Sequence, residues 1–435
     1  MVPIFKKGQK KDPANYRPVS LTSIPCKMME SIVKEEIMDH LTRHHLLKDS
    51  QHGFLPGRSC ATNLIVTMDK ITKAVDNGEP VDLVYLDFSK AFDKVPHRKL
   101  LTKIEVKGIR GDFARWIRNW LSNRKQCVRV NGQESSEADV KSGVPQGTIL
   151  RPILFDIHID DLDLAIQYLV DLIKFADDTK VFRTMKNEEE RKKLQEALDN
   201  LCVWAKTWGM EFNVLKCKIM HIGHNNPKYQ FTMEGTPLGE TETERDLGVA
   251  VDMNLKLTKQ CKKAAARAQV VLSQILKFFH YRDRNHYLNL YKTYVRPHLD
   301  FAVTAWSPWS INDIELLEKV QQKALRNTSG LKGRTYEERC EEVGLETLAA
   351  RRKRHDMIQT FKILKGIDGV KSEEIFEKVA HAAGTRLAAD PWNLKKTRAR
   401  KEIRINSFGL RVIDTWNSLP AELKKIDKAA LFKKE

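Results

Sequence analysis

Two periodicities divide the chain. Over 24–41, Met28, Met29, Ile32, Val33 and Ile37 recur at the three-to-four-residue spacing of one helix face, and 61–75 repeats that pattern. After the break at Asn77-Gly78-Glu79-Pro80, the run VDLVYLDF (81–88) is short, apolar and β-rich, which predicts a buried strand. HRKLLTKI and ARWIRNWL predict two helices. QCVRV (126–130) alternates and ends in Asn131-Gly132, a hairpin signal leading to a second strand near 138–140. A helix is predicted over 147–166. YLVDLIKF and TKVFRT predict two strands joined through Ala176, Asp177 and Asp178. The stretch 187–208 predicts an amphipathic helix capped by Asn187, with Glu188, Glu189 and Glu190 in its first turn, where the helix dipole favours anions.

Beyond about residue 252 the pattern turns helical. The stretches 256–279, 285–299 and 311–329 each carry an apolar stripe opposite a basic face, and helical spacing continues to about Lys365. An irregular stretch follows, with the basic run LKKTRARK at 394–401. The order of elements before 252 predicts an α+β domain on an antiparallel sheet, with a domain boundary near 252. No internal repeat of 20 to 50 residues is visible.

Composition narrows the class. The 435 residues, 41% hydrophobic and 30% charged, suffice for two or three packed domains and exclude collagen-like, low-complexity and small disulfide-scaffold proteins. No apolar stretch approaches the roughly 20 residues of a membrane helix. The opening MVPIFKKGQKK has too short an apolar run for a secretory signal, so a soluble intracellular protein is expected. The net charge of +18 is uneven: residues 1–252 hold 38 Lys+Arg against 36 Asp+Glu, and 253–435 hold 37 against 21. That asymmetry points to a polyanion partner held by the C-terminal part, the alternative being a basic solvated surface. The seven cysteines, Cys26, Cys60, Cys127, Cys202, Cys217, Cys261 and Cys340, include no C-x-x-C pair, which argues for reduced thiols rather than a zinc site or a disulfide framework.

Three carboxylates stand out. Asp87 ends the predicted buried strand, and Asp177 with Asp178 tips the predicted hairpin; if those strands are neighbours, the acids converge. Like charges so close are unfavourable without a cation, and hard oxygen ligands suit Mg²⁺. Two such ions about 4 Å apart can activate a hydroxyl and stabilise a leaving pyrophosphate. The dipeptide alone also reads as a solvated turn. Asp93, Asp160, Asp161 and Asp163 read as a helix cap and a solvated face, and His158 as a core residue. SGVPQGT (142–148) permits either a close backbone approach to a ligand or a plain helix-entry turn.

The motifs NYRPVSLTS (15–23), QHGFLPGRS (51–59), YLDFSKAFDKVPH (85–97), SGVPQGTIL (142–150), KFADDTK (174–180), FNVLKCK (212–218) and RDLGV (245–249) occur in a familiar order. Together they resemble the reverse transcriptases of non-LTR (LINE-type) retrotransposons, of the Jockey-like and chicken-repeat-like clade. VRPHLDFAVTAWSP, IELLEKVQQKALR and Trp416-Asn417-Ser418-Leu419-Pro420 extend the resemblance over nearly the whole chain. It implies a right-hand polymerase: partial fingers at 1–80, a palm at 81–252, a helical thumb at 253–330 and a basic helical C-terminal region at 331–435. It further implies that Asp87, Asp177 and Asp178 bind two Mg²⁺ ions and that Lys216 protonates departing pyrophosphate. Phe92 would lie under the incoming sugar and select deoxynucleotides. Gln146 and Gly147 would form the nucleotide-pocket turn, Arg58 and Arg17 would hold the triphosphate, and Leu247, Gly248 and Val249 would grip the primer end. The implied partners are an RNA template, a DNA primer in an RNA–DNA duplex and dNTPs, with no membrane.

The sequence departs from the family in three ways. The chain opens at MVPIFKKG without the family's endonuclease or full fingers, which implies an endonuclease acting in trans on an N-terminally truncated copy. Arg151 stands where the family usually has glycine. The abrupt start suggests a genomic fragment. Two functions are therefore expected to compete: an RNA-directed DNA polymerase, and a catalytically inactive nucleic-acid-binding remnant. A phosphohydrolase would need a water-positioning His or Glu beside the acids, and none is evident. The family implies a nuclear location, for which the sequence carries no signal.

Overall fold

The apolar run expected to form a buried strand, Val81–Leu86, is the middle of a five-stranded sheet in the computed structural model, which describes residues 1–279, 283–379 and 390–434. The order across the sheet is Gly239–Glu240, Lys218–Ile222, Val81–Leu86, Asp178–Thr184 and Asp171–Phe175. The last two strands form an antiparallel hairpin in which Phe175 pairs with Asp178, so Ala176 and Asp177 are its whole turn. The sheet is mixed rather than antiparallel, because the small hairpin of Thr232–Met233 and Thr236–Pro237 reverses the chain and Gly239–Glu240 returns parallel to Lys218–Ile222. The edge at Asp171–Phe175 is covered: Gln51 bridges Lys174, with His52 N–H donating to Lys174 O at 2.9 Å and Lys174 N–H to Ser50 O at 2.8 Å. Covering an edge in this way satisfies backbone groups that would otherwise invite foreign strands.

Two compact units divide the described residues. The first comprises 1–55, 82–219 and 227–240; the second comprises 56–81, 220–226 and 241–435. One apolar cluster fills the first unit, joining Val84 and Leu86 of the central strand to Leu100, Ile104, Ile117 and Leu121, to Leu154 and Ile157, and to Leu194, Leu198 and Leu201. Those residues come from the helices His97–Val106, Gly111–Leu121, Arg151–Ile159 and Glu188–Trp208, the last capped by Asn187 accepting from Glu190 N–H as expected. The helix Ile24–Arg43 buries Val33, Ile37 and Leu41, but leaves Met28, Met29 and Ile32 exposed. Its buried row runs instead through Glu30, whose carboxylate accepts from Trp120 Nε1 at 3.0 Å and Ile149 N–H at 2.6 Å.

Three local expectations are corrected. The helix expected over 147–166 starts only at Arg151, since Gly147 sits at φ +99°, and it stops at Ile159, with a separate turn at Leu162–Ala165. Asp160, Asp161 and Asp163 are not a solvated face: they pair with Lys107, Lys103 (2.5 Å from Asp161) and the fully buried Lys174, three lysines that anchor those carboxylates inside the unit. Asn131-Gly132 does turn a hairpin, but its partners are Arg129–Val130 and Gln133–Glu134. Ala138–Asp139 pairs with Lys125–Gln126 instead.

The second unit is mainly helical. Cys60–Asp76 begins with a capping box in which Ser59 and Thr62 exchange side-chain and backbone hydrogen bonds. Leu64 from that helix joins Ala265, Ala268 and Leu272 of Thr258–Phe278, and Leu317, Val320 and Leu325 of Ile311–Arg326, in one core. The single helix expected over 285–299 is broken: Arg284–Leu290 passes into a π-helical turn, Tyr291–Val295, before Pro297–Asp300. Pro297 has no N–H to continue an α-helical ladder, and the wider i−5 bond from Arg296 N–H to Tyr291 O (3.0 Å) precedes it.

Candidate active site

The first unit brings two of the three singled-out acids together from different elements. Asp87 directly follows the central strand, whose neighbour is the Asp178–Thr184 strand of the hairpin. Burial raises the proton affinity of the Asp177 carboxyl, and the Asp87 charge raises it further, while Arg151 and Arg17 oppose both effects. Asp178 starts its strand on the exposed side of the tip.

The backbone around Asp87 is held by the FNVLKCK segment. Asn213 N–H donates to Asp87 O at 2.7 Å, Asp87 N–H donates to Cys217 Sγ at 3.4 Å, and Phe88 stacks on Phe212 with centroids 4.3 Å apart. Burial pushes the Cys217 thiol up to about 11, so it stays protonated there. Lys216 Nζ lies 3.1 Å from Asp87 Oδ2 in a solvent-accessible ion pair, which holds the lysine at the acid but contributes little stability.

The hairpin tip is clamped by the QHGF segment. Gln51 Oε1 accepts from Ala176 N–H at 2.9 Å and from Gly53 N–H at 2.7 Å. A Cβ on Gly53 would stand 2.3 Å from Ala176 N, so only glycine permits this approach.

The PQG turn is fixed by the NYRPVS strand. Ser20 N–H donates to Gln146 O at 2.7 Å, and Gly147, at φ +99°, would drive a Cβ to 2.5 Å from Ser20 O. Together with Tyr16, Arg17, Phe54, Phe92, Arg151 and Asp177, Gln146 lines a cavity of about 580 Å³. That size is within the range that takes a small organic ligand. Phe92 does not present a bare face to this cavity. Phe155 stacks on it at 4.1 Å and the Arg151 guanidinium carbon lies 4.2 Å from its centroid. Both groups lie against the Phe92 ring.

The other sequence candidates lie in the second unit. Arg58 donates to Gly369 O at 2.8 Å. Leu247 and Gly248 are the turn between Thr243–Asp246 and Val249–Asp252, with φ of 45° and 92°. Lys263 Nζ donates to Gly248 O at 3.4 Å, and Phe301 packs 3.1 Å from where a Gly248 Cβ would stand.

The donor chemistry at Asp87, Asp177 and Asp178 is carboxylate oxygen alone, the set that hard divalent cations take, and the repulsion between Asp87 and Asp177 is of the kind a cation relieves. Among the described residues, no group of three His, Cys, Asp or Glu side chains is already gathered to hold an ion. Also among them, no helix is long and apolar enough to cross a membrane. Sequence reasoning missed Glu30, Gln51 and Gly53 as supports of the site. The QHG motif carried the only local signal, a glycine directly after two polar residues, Gln51 and His52.

Residues 6–260, more than half of the chain, match the reverse transcriptase (RNA-dependent DNA polymerase) family, and the chain belongs to that family. Its relatives include the probable RNA-directed DNA polymerase from transposon X-element of Drosophila melanogaster, 25% identical over 339 residues, which cover 75% of this chain and 37% of the relative. The RNA-directed DNA polymerase from mobile element jockey of Drosophila funebris is 25% identical over 342 residues, covering 76% and 37%. The chain thus spans little more than a third of the length of these relatives. Among solved structures, apo telomerase from Candida tropicalis aligns with 78% of the chain and 54% of its own, at a TM-score of 0.44 and 13% identity.

Proposed function

We propose that this protein is an RNA-directed DNA polymerase of a non-LTR mobile element, which extends a DNA primer 3′-hydroxyl with dNTPs along an RNA template. The observation that carries the reading is the approach of Asp87 to Asp177 across neighbouring strands, beside a cavity lined by Phe92, Gln146 and Arg17. The family membership and the mobile-element relatives support it.

Asp87, Asp177 and Asp178 would hold two Mg²⁺ ions, which supply charge neutralisation at the reacting phosphate and a more acidic primer hydroxyl. The chain's own residues do the rest. Lys216, at Asp87, would give a proton to departing pyrophosphate. Gln146 and Gly147 would shape the nucleotide pocket, and Phe92 would set its sugar preference through the group stacked on it. Arg17 and Arg58 would bind the triphosphate, and Leu247, Gly248 and Val249 the primer end. Fingers at 1–80, palm at 81–252, thumb at 253–330 and a basic region at 331–435 complete this reading, with a nuclear site of action and an endonuclease supplied in trans.

Deoxynucleotide incorporation on an annealed RNA template and DNA primer tests it. Incorporation is expected with Mg²⁺ and is expected to fall by at least about 10³-fold in Asp177→Asn/Asp178→Asn, the scale of losing a principal electrostatic stabiliser. Salt-sensitive duplex binding without incorporation would make the chain a nucleic-acid-binding remnant.

A further inference from the structure

Arg151 stands in a costly place. It is the first residue of Arg151–Ile159, where the helix dipole disfavours a cation. It is largely buried, and burial lowers its hold on the proton. Asp93 and Asp177 oppose that shift, while Arg17 reinforces it. Its Nη1 is buried without a hydrogen-bond partner, which costs free energy that a mere packing role would not justify. The guanidinium is propped on Phe92, and the same cavity is lined by Lys6, Arg17 and Lys90 against only Asp93 and Asp177. Four cations against two carboxylates, two of the cations repelling one another, give this cavity a net positive charge that suits an anionic ligand.

We propose that Arg151 is a substrate-positioning residue whose guanidinium, seated on Phe92, binds the triphosphate of the incoming nucleotide. This rests on the polymerase reading above and extends it to a residue the family does not supply. A nucleoside triphosphate fits better than a stretch of nucleic-acid backbone, because the cations converge on one bounded cavity of about 580 Å³ beside Asp177. A planar guanidinium suits bidentate phosphate contact, and a lysine would retain the charge but lose the fork.

The test uses the full chain and a fluorescent, non-hydrolysable deoxynucleoside triphosphate, with binding read by anisotropy in Mg²⁺, beside template–primer binding. Arg151→Met, which keeps an unbranched side chain without the charge, and Arg151→Gly are expected to weaken triphosphate binding by about 10- to 100-fold, the scale of one charge-assisted contact, with Arg151→Lys between them and the wild type. Duplex affinity is expected to be unchanged. Arg151→Met is expected to melt at the wild-type temperature or above, since an unsatisfied buried donor is gone, so a folding defect would not masquerade as lost binding. Equal triphosphate affinity in the wild type and Arg151→Met overturns the proposal. So does tighter binding by Arg151→Gly, a loss confined to the duplex, or a wild type that binds no triphosphate. Triphosphate binding that tracks Arg151 without incorporation would leave this inference standing while the polymerase reading fails.

Discussion

Two tight hairpins, one in each unit, reach positive φ in different ways. In the second unit, Leu247 and Gly248 both take positive φ, as the favoured type I′ turn requires, and glycine meets half of that demand at no steric cost. In the first unit, Ala176 holds φ 54° with no glycine at all. Such a residue stores strain that its surroundings must impose. Here the imposing group is the 50–53 segment, through Gln51 Oε1 and the bare Cα of Gly53. The turn that carries Asp177 is thus held by backbone contacts from elsewhere in the chain, whereas the other has a glycine of its own and meets the side chains of Lys263 and Phe301.

The difference can be broken at the clamp. Gly53→Ala is expected to cost about 3 kcal/mol, because its Cβ meets backbone rather than a movable side chain. Urea unfolding followed by tryptophan fluorescence would measure this, and a cost below that of Gly248→Ala would refute the contrast.

Acid tests the first unit through another buried group. The His158 imidazole is packed against Trp204 and Trp208, and burial lowers it to about 3, with Lys103 and Lys99 adding to the shift. Between that value and the unfolded value near 6.5, the unfolded chain binds the proton that the folded chain refuses. The contribution of His158 to stability is therefore expected to fall as pH drops through that window, by up to about 1.4 kcal/mol per pH unit. His158→Leu is expected to flatten this dependence in urea midpoints measured from pH 7 to 4.

Gly248→Ala is expected to cost about 1–2 kcal/mol, from φ +92° and a Phe301 ring that can give way. The smallest effect is expected from Ala176→Gly, which should stabilise the first unit by less than about 1 kcal/mol as relieved strain offsets added chain entropy. A clear loss of stability would show that the alanine is not strained.

Much of the fold was legible locally. Cys60–Asp76 and Glu188–Trp208 lie within a residue of their predicted bounds, because a cap and an apolar stripe are written in adjacent residues. The hairpin about Ala176-Asp177 was legible for the same reason. Asp160, Asp161 and Asp163 were misread as solvated because their partners, Lys107, Lys103 and Lys174, belong to other elements. A carboxylate's sequence neighbours say nothing of a lysine that arrives from 11 to 58 residues away.

By itself the sequence determined the succession of helices and strands, the acids at the ends of two strands and the excess of cations after residue 252, since each depends on residue type and near spacing. Only the tertiary structure decided that Asp87 and Asp177 share a field, that the QHG segment clamps their hairpin and that Arg151 turns onto Phe92 rather than outward. Those outcomes depend on which strands pair and which side chains compete for one enclosed space, and neither is encoded in any single stretch of the chain.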